Sequence, residues 1–360
     1  MLTTPAMFSP SPLPRSLEAC LRDLGSATER TRISALRDLV RHALRGDTAR
    51  ARAIPLFEKA LRVDTSPAVR ADAALALADV AAEEALATLL VAVEDDDERV
   101  RQMALTAIGE IGDPRATQRL ARALRDPRPE VRYQAVIAFA RVAQADAEAV
   151  ATALADALDD SDDAIRYIAM RLAEEYDADG RPLRDERLAA RAHELIETPD
   201  EAVSVVAALY LARLGTAIGR EVVLDVVAER RATPEIEDEQ ACVELTGQLE
   251  LREAIPALER RVWGSRRVVR KVLSWGAGDR ASCSWHARIA LARMGHARAK
   301  SEILSDLASF RRETREAAVV AAGRAHLGEA RSAIEGLGSS VDPSLVREAL
   351  VRLSLASPLA

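Results

Sequence analysis

The stretch PAVRADAALALADV, from Pro67 to Val80, decides the fold because variants of it return at a fixed interval. It returns as ERVRQMALTAIGEIGD from Glu98 and as PEVRYQAVIAFARV from Pro129. The Val-Arg pair inside it advances by 31 residues at each step, and an Ile-Arg variant follows 34 residues later. A fixed period of this size indicates one supersecondary unit that has been stacked many times, not one large core.

Each clear unit is predicted to form two helices. In ERVRQMALTAIGEI the apolar residues recur at helical spacing and define one buried face. Gly112-Asp113-Pro114 then predicts a helix end, because glycine suits a left-handed stop and proline suits the first turn of the next helix. The following RATQRLARALRD supplies the second helix, with Leu120 and Leu124 on its buried side.

This repeat resembles HEAT repeats, in particular the short bacterial kind also found in phycobilisome lyases. The resemblance rests on Asp/Pro-x-x-Val-Arg-x-x-Ala-x-x-Ala-Leu, followed by Gly-Asp/Pro and a second helix, and it is strong over residues 66–175. It implies an all-α fold, a right-handed α-solenoid of about ten helical hairpins. We expect a Pro-rich flexible arm over 1–15 and a single solenoid over 16–360, with an irregular insertion at about 263–282.

The arginine of the Val-Arg pair commonly pairs with an aspartate of a neighbouring unit in families of this kind. The resemblance therefore implies a structural ladder rather than a ligand site, with acids such as Asp97 and Asp162 as partners. The predicted ladder arginines are Arg70, Arg101, Arg132 and Arg166.

A basic and tryptophan-rich segment interrupts the repeat pattern. It holds six basic residues and no acidic one from Arg260 to Lys271, and all three tryptophans fall in or beside it. Basic residues interleaved with aromatic ones can anchor a protein partner, or contact phosphates and stack on bases. A structural plug between repeats is the other interpretation. The candidate partner-binding residues here are Trp263, Arg266, Arg267, Arg270, Lys271, Trp275 and Trp285.

The second helices carry charged residues on the face that we expect to line a groove. The third unit has a basic stripe at helical spacing, and the neighbouring units place acidic residues at comparable positions. We expect ion pairing between adjacent units, recognition of a partner, or both. The basic stripe is Arg115, Arg119, Arg122 and Arg125, the first three being candidate partner-binding residues; the acids are Glu83, Glu84, Asp146, Glu148 and Asp156.

Composition and motifs narrow the function classes. Fifty basic and 57 acidic residues give a formal net charge of −7, which argues against a chain-wide nucleic-acid surface. We find no Gly-rich phosphate loop, no Gly-x-Ser-x-Gly elbow and no His-Glu-x-x-His, so we predict no catalytic residue, no metal site and no cofactor. Three widely spaced cysteines, and the lack of any apolar run of about 18 residues, favour a cytoplasmic protein without a membrane span.

We therefore predict a non-enzymatic scaffold or adaptor, of bacterial composition, that binds another protein. The binding surface is the concave helix face, the 260–285 segment, or both. A HEAT-like lyase or maturation factor is one alternative, implied only by the likeness of the repeat. A HEAT-like nucleic-acid-binding protein of the DNA glycosylase type is the other, and only the 260–285 segment favours it. The identity of the partner and the oligomeric state stay open.

Overall fold

Short polar side chains, proline and glycine mark the ends of the helices, and the helix of the second repeat copy shows how. The Asp97 carboxylate accepts hydrogen bonds from two backbone N–H groups in the first turn of this helix. Gly112 ends it in the left-handed conformation, with φ of 71°. Asp113 and Pro114 then open a short 3-10 turn that leads into the second helix. The predicted helix end at these three residues is confirmed.

The computed structural model describes residues 15–177, 180–264 and 280–354, with the backbone alone for 280–282. Over these ranges the chain forms twenty α-helices, and they contain no β-strand. Most of the helices follow one another as antiparallel hairpins of a first and a second helix, which is the unit of a helical repeat protein. The all-α solenoid fold is confirmed.

The chain divides into two units, Met1–Leu172 and Ala173–Ala360. The helix α10 crosses this boundary by two residues. The helices that begin in unit 1 are α1 (Leu17–Asp23), α2 (Glu29–Ala43), α3 (Asp47–Val63), α4 (Pro67–Asp79), α5 (Leu86–Ala92), α6 (Glu98–Ile111), α7 (Thr117–Ala123), α8 (Pro129–Val142), α9 (Ala147–Ala157) and α10 (Asp163–Glu174).

In unit 1 the first helices of successive repeats pack on one another. α4 contacts α6, and α6 contacts α8, while the second helices α5 and α7 lie against α6 and α8. The valines of the repeating Val-Arg pair, Val69, Val100 and Val131, are all buried. The fixed sequence period therefore corresponds to a buried apolar layer that each hairpin completes for its neighbour.

Arg15 is part of the folded unit, although we assigned it to the flexible arm. Its Nε donates to Asp23 at 3.0 Å and its Nη1 to Asp38 at 2.8 Å. Its backbone carbonyl lies 2.8 Å from Nε2 of His42. The remainder of the predicted arm, residues 1–14, lies outside the described residues.

Unit 2 is built from the same kind of hairpin. Its helices are α11 (Glu186–Leu195), α12 (Glu201–Arg213), α13 (Ala217–Val227), α14 (Ile236–Gln248), α15 (Ile255–Trp263), α16 (Arg280–Arg293), α17 (Ala297–Leu307), α18 (Arg312–Arg324), α19 (Arg331–Glu335) and α20 (Pro343–Ser354). That residues 16–360 form one continuous, right-handed solenoid stays a prediction.

The core of unit 2 is centred on helices that are apolar on most sides. Every residue of α12 from Val203 to Ala212 is buried, and α12 contacts both α13 and α14. Gly247 lies where α14 meets α16, and a Cβ at this position would lie 2.7 Å from Cα of Ala290. The two helices therefore approach closely enough that only glycine fits there.

Candidate functional site

A ladder of arginine–aspartate pairs joins the repeats of unit 1, and Arg101 shows its geometry. Its Nε and Nη2 donate to the two carboxylate oxygens of Asp126, at 2.8 and 3.0 Å. Its Nη1 donates to the backbone carbonyl of Asp95 at 2.9 Å. The side chains of Arg101 and Asp126 are only 12% and 11% exposed. One arginine thus holds the loops before two successive repeats through shielded, bidentate contacts.

The same geometry recurs from repeat to repeat in unit 1. Each pair has nitrogen–oxygen distances of 2.7–3.0 Å, and each carboxylate also accepts the backbone N–H two residues further on. The aspartate therefore always stands two residues before the N-cap of the next first helix. The pairs are Arg32–Asp64, Arg70–Asp95, Arg101–Asp126 and Arg132–Asp160.

The hydrogen-bonded acids are not those named from the sequence. Asp97 and Asp162 instead accept backbone N–H groups at the starts of α6 and α10. An N-cap side chain points at its own helix, so it is the aspartate two residues earlier that reaches the preceding repeat. Arg166 keeps the backbone bond, to the carbonyl of Asp160 at 2.7 Å, but its ion pair is with Asp163 of its own helix.

The ladder contacts lower the pKa of the carboxyl groups of Asp64, Asp95 and Asp160. The hydrogen bond from Arg132 lowers the pKa of Asp160, against the opposing effect of burial. Burial raises the pKa of Asp95, but the bonds from Arg70 and from the N–H of Asp97 outweigh it and leave this pKa below its ordinary value. Both carboxylates therefore stay charged throughout the neutral range. The ladder is a structural ion-pair network between successive repeats.

A groove of about 600 Å³ lies between the second helices α7 and α9 of unit 1. Val136 and Phe139 of α8 line it and are nearly buried, at 3% and 6% exposure. Leu124, directly after α7, also lines it. The ladder pair Arg132–Asp160 also lines the groove. Because apolar groups line a space that water can enter, the groove offers burial to an apolar side chain of a partner.

Helix α9 contributes two parallel rows of residues to this groove. Ala149, Ala153 and Ala157 are spaced by four residues, and their small side chains leave the space open. Beside them Glu148, Thr152 and Asp156 form a second row with the same spacing, and all three are exposed. Asp146, which caps α9, adds a third exposed carboxylate to the lining. This wall of the groove is therefore acidic.

Helix α7 and its flanking turns carry the predicted arginine stripe, but its members have different surroundings. Arg115 pairs with Asp113 at 2.6 Å, and Arg119 pairs with Glu94 of the preceding repeat. Arg122 and Arg125 are exposed and make no side-chain hydrogen bond or ion pair with the described residues. Arg125 lines the groove. The stripe thus divides into two arginines engaged within the protein and two that face solvent.

Comparison with known families places the repeats of this unit. Residues 54–140 and 87–173 match the family described as HEAT repeats, in two overlapping windows.

Residues 54–173 are HEAT repeats.

Solved helical-repeat structures are similar to the chain at low sequence identity. The Escherichia coli protein YibA is 14% identical, with TM-score 0.41, over 94% of this chain and 92% of its own. The CpcE–CpcF complex of phycocyanin lyase from Nostoc sp. PCC7120 is 15% identical, with TM-score 0.38, over 84% and 97%. A designed armadillo repeat protein in complex with the peptide (KR)4 is 24% identical, with TM-score 0.41, over 55% and 99%. No curated protein sequence matches the chain significantly.

Outside the HEAT repeats of unit 1, the candidate residue Trp263 ends α15 and is held by contacts within unit 2. Its Nε1 donates to the two carboxylate oxygens of Glu302 at 3.0 and 3.2 Å. Its ring stacks on His296 with ring centres 5.3 Å apart, and the Arg298 guanidinium lies 4.3 Å from the ring centre. His296 in turn lies 3.0 Å from Glu259. These contacts fit a packing role for Trp263.

Trp285, on α16, also contacts residues of unit 2. Its ring meets His286 edge-on at 5.0 Å, and the guanidinium of Arg324 lies 5.5 Å from the ring centre. Arg324 donates to Glu244 at 3.0 Å. The indole nitrogen of Trp285 is buried and has no hydrogen-bond partner in the described part of the chain.

The basic segment has five further candidate residues. Arg266, Arg267, Arg270, Lys271 and Trp275 lie outside the described residues. Their assignment to partner binding stays a prediction.

Two features of unit 1 were missed in the sequence. Arg32 pairs with Asp64 through the same bidentate geometry as the other ladder arginines, but it stands 38 residues before Arg70 and lacks the valine before it. An arginine six residues after the loop carbonyl that it contacts is the signal that would have found it. Phe139 lines the groove, and a repeat period alone does not say between which second helices a groove opens.

The described ranges contain no group of three or more histidine, cysteine, aspartate or glutamate side chains placed to hold a metal ion. Among their helices none is both long and apolar enough to cross a membrane. All three cysteines are buried.

Proposed function

We propose that this chain is a non-enzymatic scaffold that binds a segment of another protein in the groove between α7 and α9. The observation that carries the proposal is the open space itself, with an apolar floor at Val136 and Phe139 and charged residues on its walls. A partner segment would bury apolar side chains on this floor and pair its polar groups with the walls, as protein interfaces do.

The repeat architecture supports the same function. HEAT repeats are commonly protein-interaction scaffolds, and stacked helical hairpins present their second helices as an extended surface. Arg132 joins the ends of the two helices that flank the groove, since it binds the carboxylate of Asp160, after α9, and the backbone carbonyl of Asp126, after α7. A surface held in place before binding loses less conformational entropy when a partner arrives.

The 260–285 segment is the second region proposed to contact a partner, but it supports the proposal less. Trp263 and Trp285 already contact side chains of unit 2. A lyase-type or nucleic-acid-binding role draws no specific support from the geometry of unit 1, whose groove lining carries more carboxylates than arginines. The buried cysteines fit the reducing, cytoplasmic compartment proposed for the chain.

Selection from a random peptide library on phage tests the function without assuming a ligand. The wild-type protein is the target, and enriched peptides are then tested on two variants, Ala121→Trp and Ala297→Trp. Ala121 is exposed and lines the groove, so the indole ring would fill it, whereas Ala297 is an exposed helix-start residue of unit 2. Circular dichroism checks that both variants keep the helix content of the wild type.

We expect enriched peptides that bind the wild type and Ala297→Trp but lose binding to Ala121→Trp. Enrichment of no peptide, or of peptides that bind both variants equally, would contradict the groove as the binding site.

A further inference from the structure

The groove between α7 and α9 has an uneven charge distribution that specifies what it can bind. Among its lining residues the Arg132–Asp160 pair is neutral as a whole. The remaining charged residues are Arg125 and the three carboxylates of Asp146, Glu148 and Asp156, which leaves a net charge of −2. The carboxylates all lie on or at the start of α9, so the negative charge is concentrated along one wall.

We infer that the groove binds a segment of another protein that places lysine or arginine side chains against α9 and apolar side chains on Val136 and Phe139. This inference rests on the proposed function and adds the chemistry of the partner. A cationic segment complements the α9 wall, whereas an acidic segment would bring like charges together at Asp146, Glu148 and Asp156.

The spacing of the acidic row favours an elongated partner. Glu148 and Asp156 are eight residues apart on one face of α9, which corresponds to about 12 Å along the helix axis. An extended chain advances by about 6.6 Å for every second residue, so side chains four residues apart span a similar distance. Thr152 lies between the two acids and keeps the row polar.

Arg125 determines which edge of the bound partner segment lies against α7 and which lies against α9. It lines the groove from the α7 side, is exposed, and makes no ion pair with the described residues. A basic residue of the partner is repelled by Arg125 and attracted by Asp156. The basic edge of the segment therefore lies toward α9.

Fluorescence anisotropy with two defined peptides tests this inference. The probes are labelled peptides of about ten residues in which every second residue is lysine or, in the matched probe, glutamate, and the others are leucine and serine. Wild-type protein is compared with Asp156→Lys, Arg125→Glu and Glu221→Lys. Glu221 is the matched control, an exposed glutamate on the second helix α13 of unit 2 that makes no ion pair with the described residues.

We expect the wild type to bind the lysine peptide about tenfold more tightly than the glutamate peptide, and less tightly as salt is raised. Asp156→Lys should weaken binding of the lysine peptide by about threefold or more, and Glu221→Lys should leave it unchanged. Arg125→Glu should tighten it by about threefold, a gain that a folding defect cannot produce.

Equal or tighter binding of the glutamate peptide, weaker binding by Arg125→Glu, or an equal loss in Glu221→Lys would overturn the inference. If neither probe binds while library peptides still bind in a manner that Ala121→Trp abolishes, the inference fails and the proposed function stands. If library selection also yields no such peptide, both fail.

Discussion

The ladder arginines of unit 1 act on two repeats at once, and this double contact decides what their loss would do. Each binds the carboxylate before the next repeat and the backbone carbonyl before its own. Removing one leaves a shielded aspartate without its cation and a carbonyl without its donor. Such losses cost more than the loss of an ordinary surface ion pair.

We predict that Arg101→Ala lowers the free energy of unfolding by about 1–3 kcal/mol, because Asp126 loses its cation and the carbonyl of Asp95 loses the Arg101 donor. Urea unfolding followed by circular dichroism measures the change. Arg99→Ala is the matched control, since Arg99 is exposed on the same helix and its side chain makes no contact of this kind with the described residues. Equal urea midpoints for the two variants would show that the Arg101 ladder contacts do not stabilise the fold.

Tyr210 gives a second prediction, in the core of unit 2. It is fully buried, its hydroxyl donates to the carbonyl of Leu183 at 2.7 Å, and burial raises its pKa to about 12. In the unfolded chain the tyrosine hydroxyl ionises near pH 10, so the stabilisation by the buried, protonated hydroxyl is fully present below pH 10. This contribution, about 2–3 kcal/mol, is lost as the pH rises from 10 to 12.

Tyr210→Phe should therefore lower the free energy of unfolding at pH 7 by about 1 kcal/mol, because the variant lacks the hydrogen bond to Leu183. Between pH 7 and pH 12 the free energy of unfolding of the variant should fall less than that of the wild type, because the variant has no hydroxyl to ionise at position 210. Unfolding curves at pH 7 and at several values between 10 and 12 measure both effects. The same fall in stability with pH in the two proteins would show that Tyr210 titrates normally.

The helices themselves follow from local sequence, and their contacts follow from residue size. The Gly112-Asp113-Pro114 turn was readable because a left-handed glycine and a first-turn proline have strong local preferences. The ladder partners were misassigned because several aspartates stand together before α6 and before α10, and only the three-dimensional path of the loop shows which of them faces the preceding repeat. The close approach at Gly247 could not be predicted either, because a glycine within a helix can mark close packing, a helix end or neither.

Gly247→Ala tests packing between α14 and α16. Alanine favours the helical backbone by about 1 kcal/mol over glycine, yet its Cβ would lie 2.7 Å from Cα of Ala290. We predict that this overlap outweighs the gain and lowers stability by about 1–3 kcal/mol. Thermal unfolding measures it, with Gly328→Ala as the control because nothing lies within 4 Å of a Cβ there. A more stable Gly247→Ala variant would contradict the close approach.

On the scale of the whole molecule, the sequence period predicts the fold, but it does not locate the groove between α7 and α9. The repeated Val-Arg phrase predicts stacked hairpins because Val69, Val100 and Val131 occupy one buried layer. The groove arises from departures between repeats. Alanines at 149, 153 and 157 and the position of Phe139 open one gap between second helices. Charged residues on those helices were predicted, but which of them pair within the protein depends on distances that no period encodes.

We propose that the groove between α7 and α9 contacts another protein. Site-specific photo-crosslinking in the source cells tests it most directly, with p-benzoylphenylalanine at position 121 in place of Ala121, or at position 297 in place of Ala297 as the control. We predict that the probe at 121, in the groove, crosslinks to one discrete protein through a segment with lysine or arginine residues. The probe at 297 should not. Absence of a product from 121, or the same products from both positions, would contradict the claim.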